Sequence, residues 1–142
     1  MIWGGISWLG KTDLYVITGK FKGLNYRQLL TTQKQFIKRM FRNEKSWWFQ
    51  QDSAPAHKDK DSIKFIKRNL TRNILPHPAQ SPDLNPIEFV WAKMKKQVES
   101  AQPRNKEELK NEIFRSWESI DIKFIRKCIS GSKKNNEENY KK

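Results

Sequence analysis

The sequence predicts an α/β or α+β fold built on a mixed sheet. Short aromatic and β-branched runs alternate with segments of helical periodicity, in the order hairpin, helix, strand, helix, strand, helix, helix. A strand–helix–strand unit of this length normally joins parallel neighbours through a right-handed crossover. The 142 residues amount to one domain. With 36% hydrophobic and 12% aromatic residues, there is enough apolar material for a core.

Ile2 to Trp8 leads into a turn around Leu9, Gly10 and Lys11, and Leu14 to Ile17 returns as a strand. A helix is expected from about Asn25 to Phe41. Its apolar face is Tyr26, Leu29, Leu30, Phe36, Ile37, Met40 and Phe41, with Gln33 as a gap. Residues 47–51 read as a buried strand ending at Asp52. An amphipathic helix at 59–70 follows, carrying Ile63, Ile66 and Leu70, and then a strand at 73–75. Prolines at 76, 78, 82 and 86 make the next stretch a loop.

The helix after it has a defined start, with Asn85 as N-cap, Pro86 first and Glu88 third. Ile87, Trp91, Met94 and Val98 form its buried stripe. Another helix begins near Asn105, with Glu108 in capping-box position and Leu109, Ile113 and Trp117 at four-residue spacing. Phe124, Ile125, Cys128 and Ile129 suggest a short last helix. We take 1–129 as the folded domain and 130–142 as a polar, disordered tail.

Charge narrows the function. Lys and Arg number 29 against 15 Asp and Glu, a net +14. Such a surplus repels itself unless a polyanion neutralises it, so nucleic acid is the expected partner class, although compositional bias toward Lys would look the same. No apolar run reaches the roughly 18–20 residues of a membrane span, and the start has no signal-peptide pattern. One cysteine and two histidines leave no zinc cluster, disulfide framework or Cys–His nucleophile. There is no Gly-Lys-Thr phosphate loop.

Asp52 and Glu88 stand out by position. Asp52 lies at the carboxyl end of one strand, and Glu88 lies in the first turn of the helix that follows the neighbouring strand. Sites assemble in the crevice beyond such strand ends. Converging carboxylates on a basic chain suit Mg²⁺, which takes one or two protein carboxylates plus phosphate oxygens. Two structural roles compete with this: Glu88 as a capping-box partner of Asn85, and Asp52 as an Asx turn. His57 is a phosphate contact, a proton-transfer group or an ordinary hydrogen-bonding residue, and His77 reads the same way. Asp83 reads as a turn residue and Asp13 as solvated. Lys34 and Lys38, with Arg27, Arg42 and Lys45, recur near one helix face and could track a phosphate backbone or simply meet solvent. Lys93, Lys95 and Lys96 share the helix of Glu88.

The segments WGGIS, FQQDSAPAH and PAQSPDLNPIEFVW, in this order, resemble the catalytic domain of Tc/mariner-type transposases of the DDE endonuclease superfamily. The resemblance runs from about Ile2 to Ile129. It implies a ribonuclease-H-like mixed sheet flanked by helices. It also implies metal-dependent DNA cleavage at element ends, followed by strand transfer. Asp52 matches the family's second catalytic Asp and Glu88 its third carboxylate, both Mg²⁺ or Mn²⁺ ligands, with two metal ions in an intact member. The spacing between them is one residue longer than the family's common one. The family's first Asp, its strand and the N-terminal helix-turn-helix region have no counterpart here. The expectation is therefore a C-terminal part of a transposase, N-terminally truncated and inactive as a lone chain. The alternative is a nuclease-dead remnant that binds DNA through its basic surface. Nuclear location and a homodimer of the full-length protein are implied with it. An unrelated RNA-binding domain would need both Trp47 and Trp48 to face solvent.

Overall fold

The computed structural model describes residues 1–75 and 84–140, and of 133–140 the backbone alone. His77, Asp83 and most of the proline-rich stretch lie outside the described residues. The chain divides into two compact units, Met1–Trp3 with Tyr15–Pro82 and Gly4–Leu14 with Asp83–Lys142.

The N-terminal hairpin is present, and its rungs fall in both units. β1 (Ile2–Trp3) pairs antiparallel with β4 (Tyr15–Val16), and β2 (Ile6–Ser7) with β3 (Gly10–Lys11). The turn is Trp8–Leu9; Gly10 and Lys11, expected from sequence in the turn, belong instead to the returning strand. Gly10 sits at φ 154°, a backbone conformation open to glycine and strained for other residues.

In the first unit, α1 (Gly23–Met40) buries Tyr26, Leu29, Leu30 and Ile37 of the predicted face together with Gln33, expected as a gap, while Phe36, Met40 and Phe41 are only half-buried. Tyr26 and Leu30 join Ala56 and Ile66 in a core flanked by Trp3, Phe21, Phe49, Phe65, Leu70 and Ile74. The strand expected over 47–51 is shorter, β5 (Phe49–Gln50). It pairs in parallel with β6 (Ile74–Leu75), Phe49 opposite Ile74. The crossover is two helices instead of one, α2 (Pro55–Lys58) and α3 (Lys60–Asn69). Asp59 separates them. Its backbone is extended at ψ 128°, and its carboxylate accepts the Ser62 N–H at 2.9 Å, capping α3. Arg27 on α1 pairs with the same carboxylate at 2.5 Å. The Ser62 amide, with the Ser62 hydroxyl and Arg27, holds the Asp59 carboxyl below its usual range despite partial desolvation.

In the second unit, α4 (Pro86–Ala101), α5 (Lys106–Ser119) and α6 (Ile122–Tyr140) pack together with β2 and β3. Trp117 is 1% exposed, stacks on Trp91 with ring centroids 5.4 Å apart, and donates its indole N–H to the Thr12 carbonyl at 3.0 Å. The Lys11 ammonium donates to the carbonyls of Trp117, Glu118 and Ile120, satisfying the end of α5. Of the stripe predicted on α4 only Met94 is fully buried, and Val90 joins it one turn earlier. On α5 the predicted face fails at Leu109, which is exposed. Asn105 caps α5 by accepting the Glu108 N–H, while the Glu108 carboxylate reaches back to the Arg104 amide. The helix predicted to stop near Ile129 continues to Tyr140. No proline interrupts it, and elongation adds one hydrogen bond per residue once a helix exists.

The first glycine of the WGGIS segment has a packing reason. A Cβ on Gly4 would stand 2.8 Å from Trp117 Cη2 and 3.2 Å from Trp91 Cη2. Both contacts are with rigid rings, so the indoles must move. Gly4→Ala is expected to cost about 1–3 kcal/mol through overpacking. A urea midpoint unchanged by Gly4→Ala would contradict this packing.

Candidate active site

β5 ends at Gln50, and the chain turns through Gln51 and Asp52 into α2. The Asp52 side chain is 49% exposed, while that of His57 is only 15% exposed. Asp52 Oδ1 accepts the Ala54 N–H at 3.0 Å, closing an Asx turn, and lies 2.5 Å from His57 Nδ1. A carboxylate only accepts, so Nδ1 carries the proton in that bond. The His57 ring rests 4.4 Å from the Tyr26 ring, centroid to centroid. Tyr26 donates its hydroxyl to Gln51 Oε1 at 2.8 Å, and Gln51 Nε2 donates to the His57 carbonyl at 3.0 Å. Burial, with the Asp52 charge adding to it, pushes the Tyr26 phenol well above its ordinary range.

Sequence reasoning singled out Asp52 and His57, the latter found in α2, and missed the two residues that support them. Tyr26 reads as one more apolar position of α1, and Gln51 as the last residue of a strand. A buried tyrosine hydroxyl requires a polar partner, and Gln51 is a polar group within reach of a core-facing strand end.

Glu88 is the third residue of α4, partly exposed, in a first turn where an acidic side chain meets the positive end of the helix dipole. Its N–H donates to the Asn85 carbonyl at 3.0 Å. Asn85 is the N-cap by position, but its side chain accepts no hydrogen bond from the helix, contrary to expectation. Asp52 belongs to the first compact unit and Glu88 to the second.

The basic residues separate into engaged and exposed sets. Lys34, predicted on an outward stripe, donates to Asn69 Oδ1 at 2.7 Å, and Arg27 pairs with Asp59, because this part of α1 packs on α3. Lys38, Arg42 and Lys45 are exposed. On α4, Lys93 sits 4.1 Å from the Phe124 ring centroid. Lys95 pairs with Glu99 at 3.8 Å on the surface, and Lys96 is exposed. Trp47 is half-buried and stacked on Phe41 with ring centroids 4.2 Å apart, while Trp48 is 61% exposed.

A family described as DDE superfamily endonuclease matches residues 11–110, most of the chain and both carboxylates. The chain belongs to the DDE superfamily endonucleases. It is 28% identical over 130 residues to the Tcb1 transposase of Caenorhabditis briggsae, a match covering 91% of this chain and 46% of that protein. It is 30% identical over 134 residues to the Tc3 transposase of Caenorhabditis elegans, covering 91% of this chain and 39% of that protein. The chain thus spans less than half the length of these curated relatives. Among solved structures it is similar to the Mos1 transposase catalytic domain with raltegravir and Mn. The TM-score is 0.75 at 20% identity, covering 93% of this chain and 71% of that one. The ribonuclease-H-like fold expected of a DDE endonuclease, small sheets flanked by helices, is therefore the fold of this chain.

Metal chemistry is the natural question for a DDE endonuclease. Among the described residues no group of three or more His, Cys, Asp and Glu side chains converges as a metal cluster. Asp52 nevertheless fits a hard cation in kind. It is a half-exposed carboxylate at a strand end, and Mg²⁺ usually takes only one or two protein carboxylates and fills its remaining positions with water and phosphate oxygens.

Proposed function

We propose that this chain is part of a transposase catalytic domain acting on DNA. In the longer protein it would contribute to metal-dependent cleavage at transposon ends and to strand transfer. The observation that carries the reading is the DDE endonuclease match over residues 11–110, which includes Asp52 at the carboxyl end of the parallel strand pair and Glu88 at the start of α4. Asp52 and Glu88 would hold Mg²⁺ or Mn²⁺. When bound, such ions polarise phosphodiester oxygens and lower the pKa of a coordinated water. The chain's own part is to orient two carboxylates and to hold phosphates. Lys38, Lys95 and Lys96 are exposed for that role, and Lys93 stands beside Phe124. Lys34 and His57 have partners inside the first unit and serve DNA only indirectly. Nuclear action and a homodimer of the longer protein go with the reading. The 142-residue polypeptide by itself is expected to bind DNA without cutting it.

The net charge of +14 makes DNA binding the direct test. Fluorescence anisotropy with a labelled duplex should give a log–log salt plot of steep negative slope, close to −0.9 for each phosphate contact. An affinity insensitive to salt between about 50 and 200 mM would contradict a phosphate-tracking surface.

A further inference from the structure

We propose that His57 is a positioning residue for the Asp52 carboxylate, mounted on Tyr26 and tied down by Gln51. The inference rests on the reading of Asp52 as a metal ligand and adds to it the device that aims the ligand. Four contacts carry it. His57 Nδ1 meets Asp52 Oδ1 at 2.5 Å, and the His57 ring packs on Tyr26 at 4.4 Å. Both ends of the Gln51 carboxamide are used, accepting the Tyr26 hydroxyl at 2.8 Å and donating to the His57 carbonyl at 3.0 Å. Tyr26 is 1% exposed and belongs to the core, so the imidazole rests on a rigid base.

The accessibility gradient points the same way. The imidazole is mostly covered at 15% exposure, and the carboxylate it holds is open at 49%. A histidine meant to meet phosphate directly would be the more exposed of the two. With the Ala54 N–H and the imidazole both on Oδ1, the plane of the carboxylate is set before any ion arrives. Partners of this kind, one bond behind the ligand, typically govern metal affinity by about 10–100-fold.

The test is Mn²⁺ affinity of the 142-residue chain, read as free Mn²⁺ by electron paramagnetic resonance, with a urea melt of each variant. His57→Ala should weaken Mn²⁺ binding about 10–100-fold. In His57→Asn the amide N–H falls where Nδ1–H stood and most of the affinity should return. His57→Gln places its amide at the Nε2 position and should behave as His57→Ala does. A residue that only filled space would not distinguish Asn from Gln. Equal affinity in wild type, His57→Ala and His57→Gln, with Asp52→Ala weakened, overturns the positioning role alone. Equal loss in the Asn and Gln variants also overturns it, because the Nδ1 bond would then not matter. If Asp52→Ala itself binds Mn²⁺ as wild type does, the ligand reading falls and the positioning role with it. Should His57→Ala fail to fold, the Asn–Gln pair decides.

Discussion

Trp117→Ala should be the most destabilising single substitution in the second unit, by about 3–5 kcal/mol. Three losses coincide there. The side chain is 1% exposed and among the largest in the core, so truncation leaves a cavity between α5 and its neighbours. Its stacking partner Trp91 loses a face, and the Thr12 carbonyl loses the indole donor at 3.0 Å. An unsatisfied buried acceptor adds about 1–3 kcal/mol of its own, partly counted in the same truncation. Native domains hold roughly 5–15 kcal/mol in all, so this variant should populate unfolded molecules at 37 °C. Trp117→Phe keeps most of the volume and should recover over half of the loss. Urea unfolding followed by circular dichroism measures both. A loss below about 1 kcal/mol for Trp117→Ala would mean that the hairpin and α5 are not packed as described.

Asp52→Ala should separate two activities. It removes one negative charge from a strongly basic chain, so duplex DNA affinity should stay within about twofold or rise. Mn²⁺ affinity should fall by at least about tenfold, since a direct ligand matters no less than the groups behind it. Coupled losses of DNA and metal binding would indicate that Asp52 supports the fold and does not serve as a ligand. Its three-residue Asx turn makes a local contribution of that kind measurable in the same urea experiment.

Much of this architecture is legible in the residues, for identifiable reasons. The start of α4 is marked by Pro86 at a position where a missing N–H costs nothing, and the parallel pairing of β5 with β6 follows from the crossover length between them. The helix expected from residue 59 is α3, and Asp59 at its start is the cap, but α2 is not legible: four residues are too few to show a helical period. Leu109 was misjudged because four-residue spacing defines a face but not how far the neighbouring helix extends to cover it. Tyr26 shows the same limit at the candidate site. Its ring fits the core pattern, and only the folded chain reveals that its hydroxyl and ring support the loop of Asp52. Lys34 and Arg27 read as free cations in a charge stripe, yet the packing of α1 on α3 gives each a partner.

The central proposal is that Asp52 and Glu88 each act as a metal-binding carboxylate. Paramagnetic broadening of backbone amide resonances during a Mn²⁺ titration tests it without requiring cleavage. The account predicts that signals of Asp52 and Ser53, and those of Ile87 to Phe89, are among the first to broaden. Asp52→Ala and Glu88→Ala should each weaken the effect at the segment that carries the substitution. Broadening that begins instead at surface acids such as Asp61, Glu99 or Glu107, and persists in both variants, would contradict it.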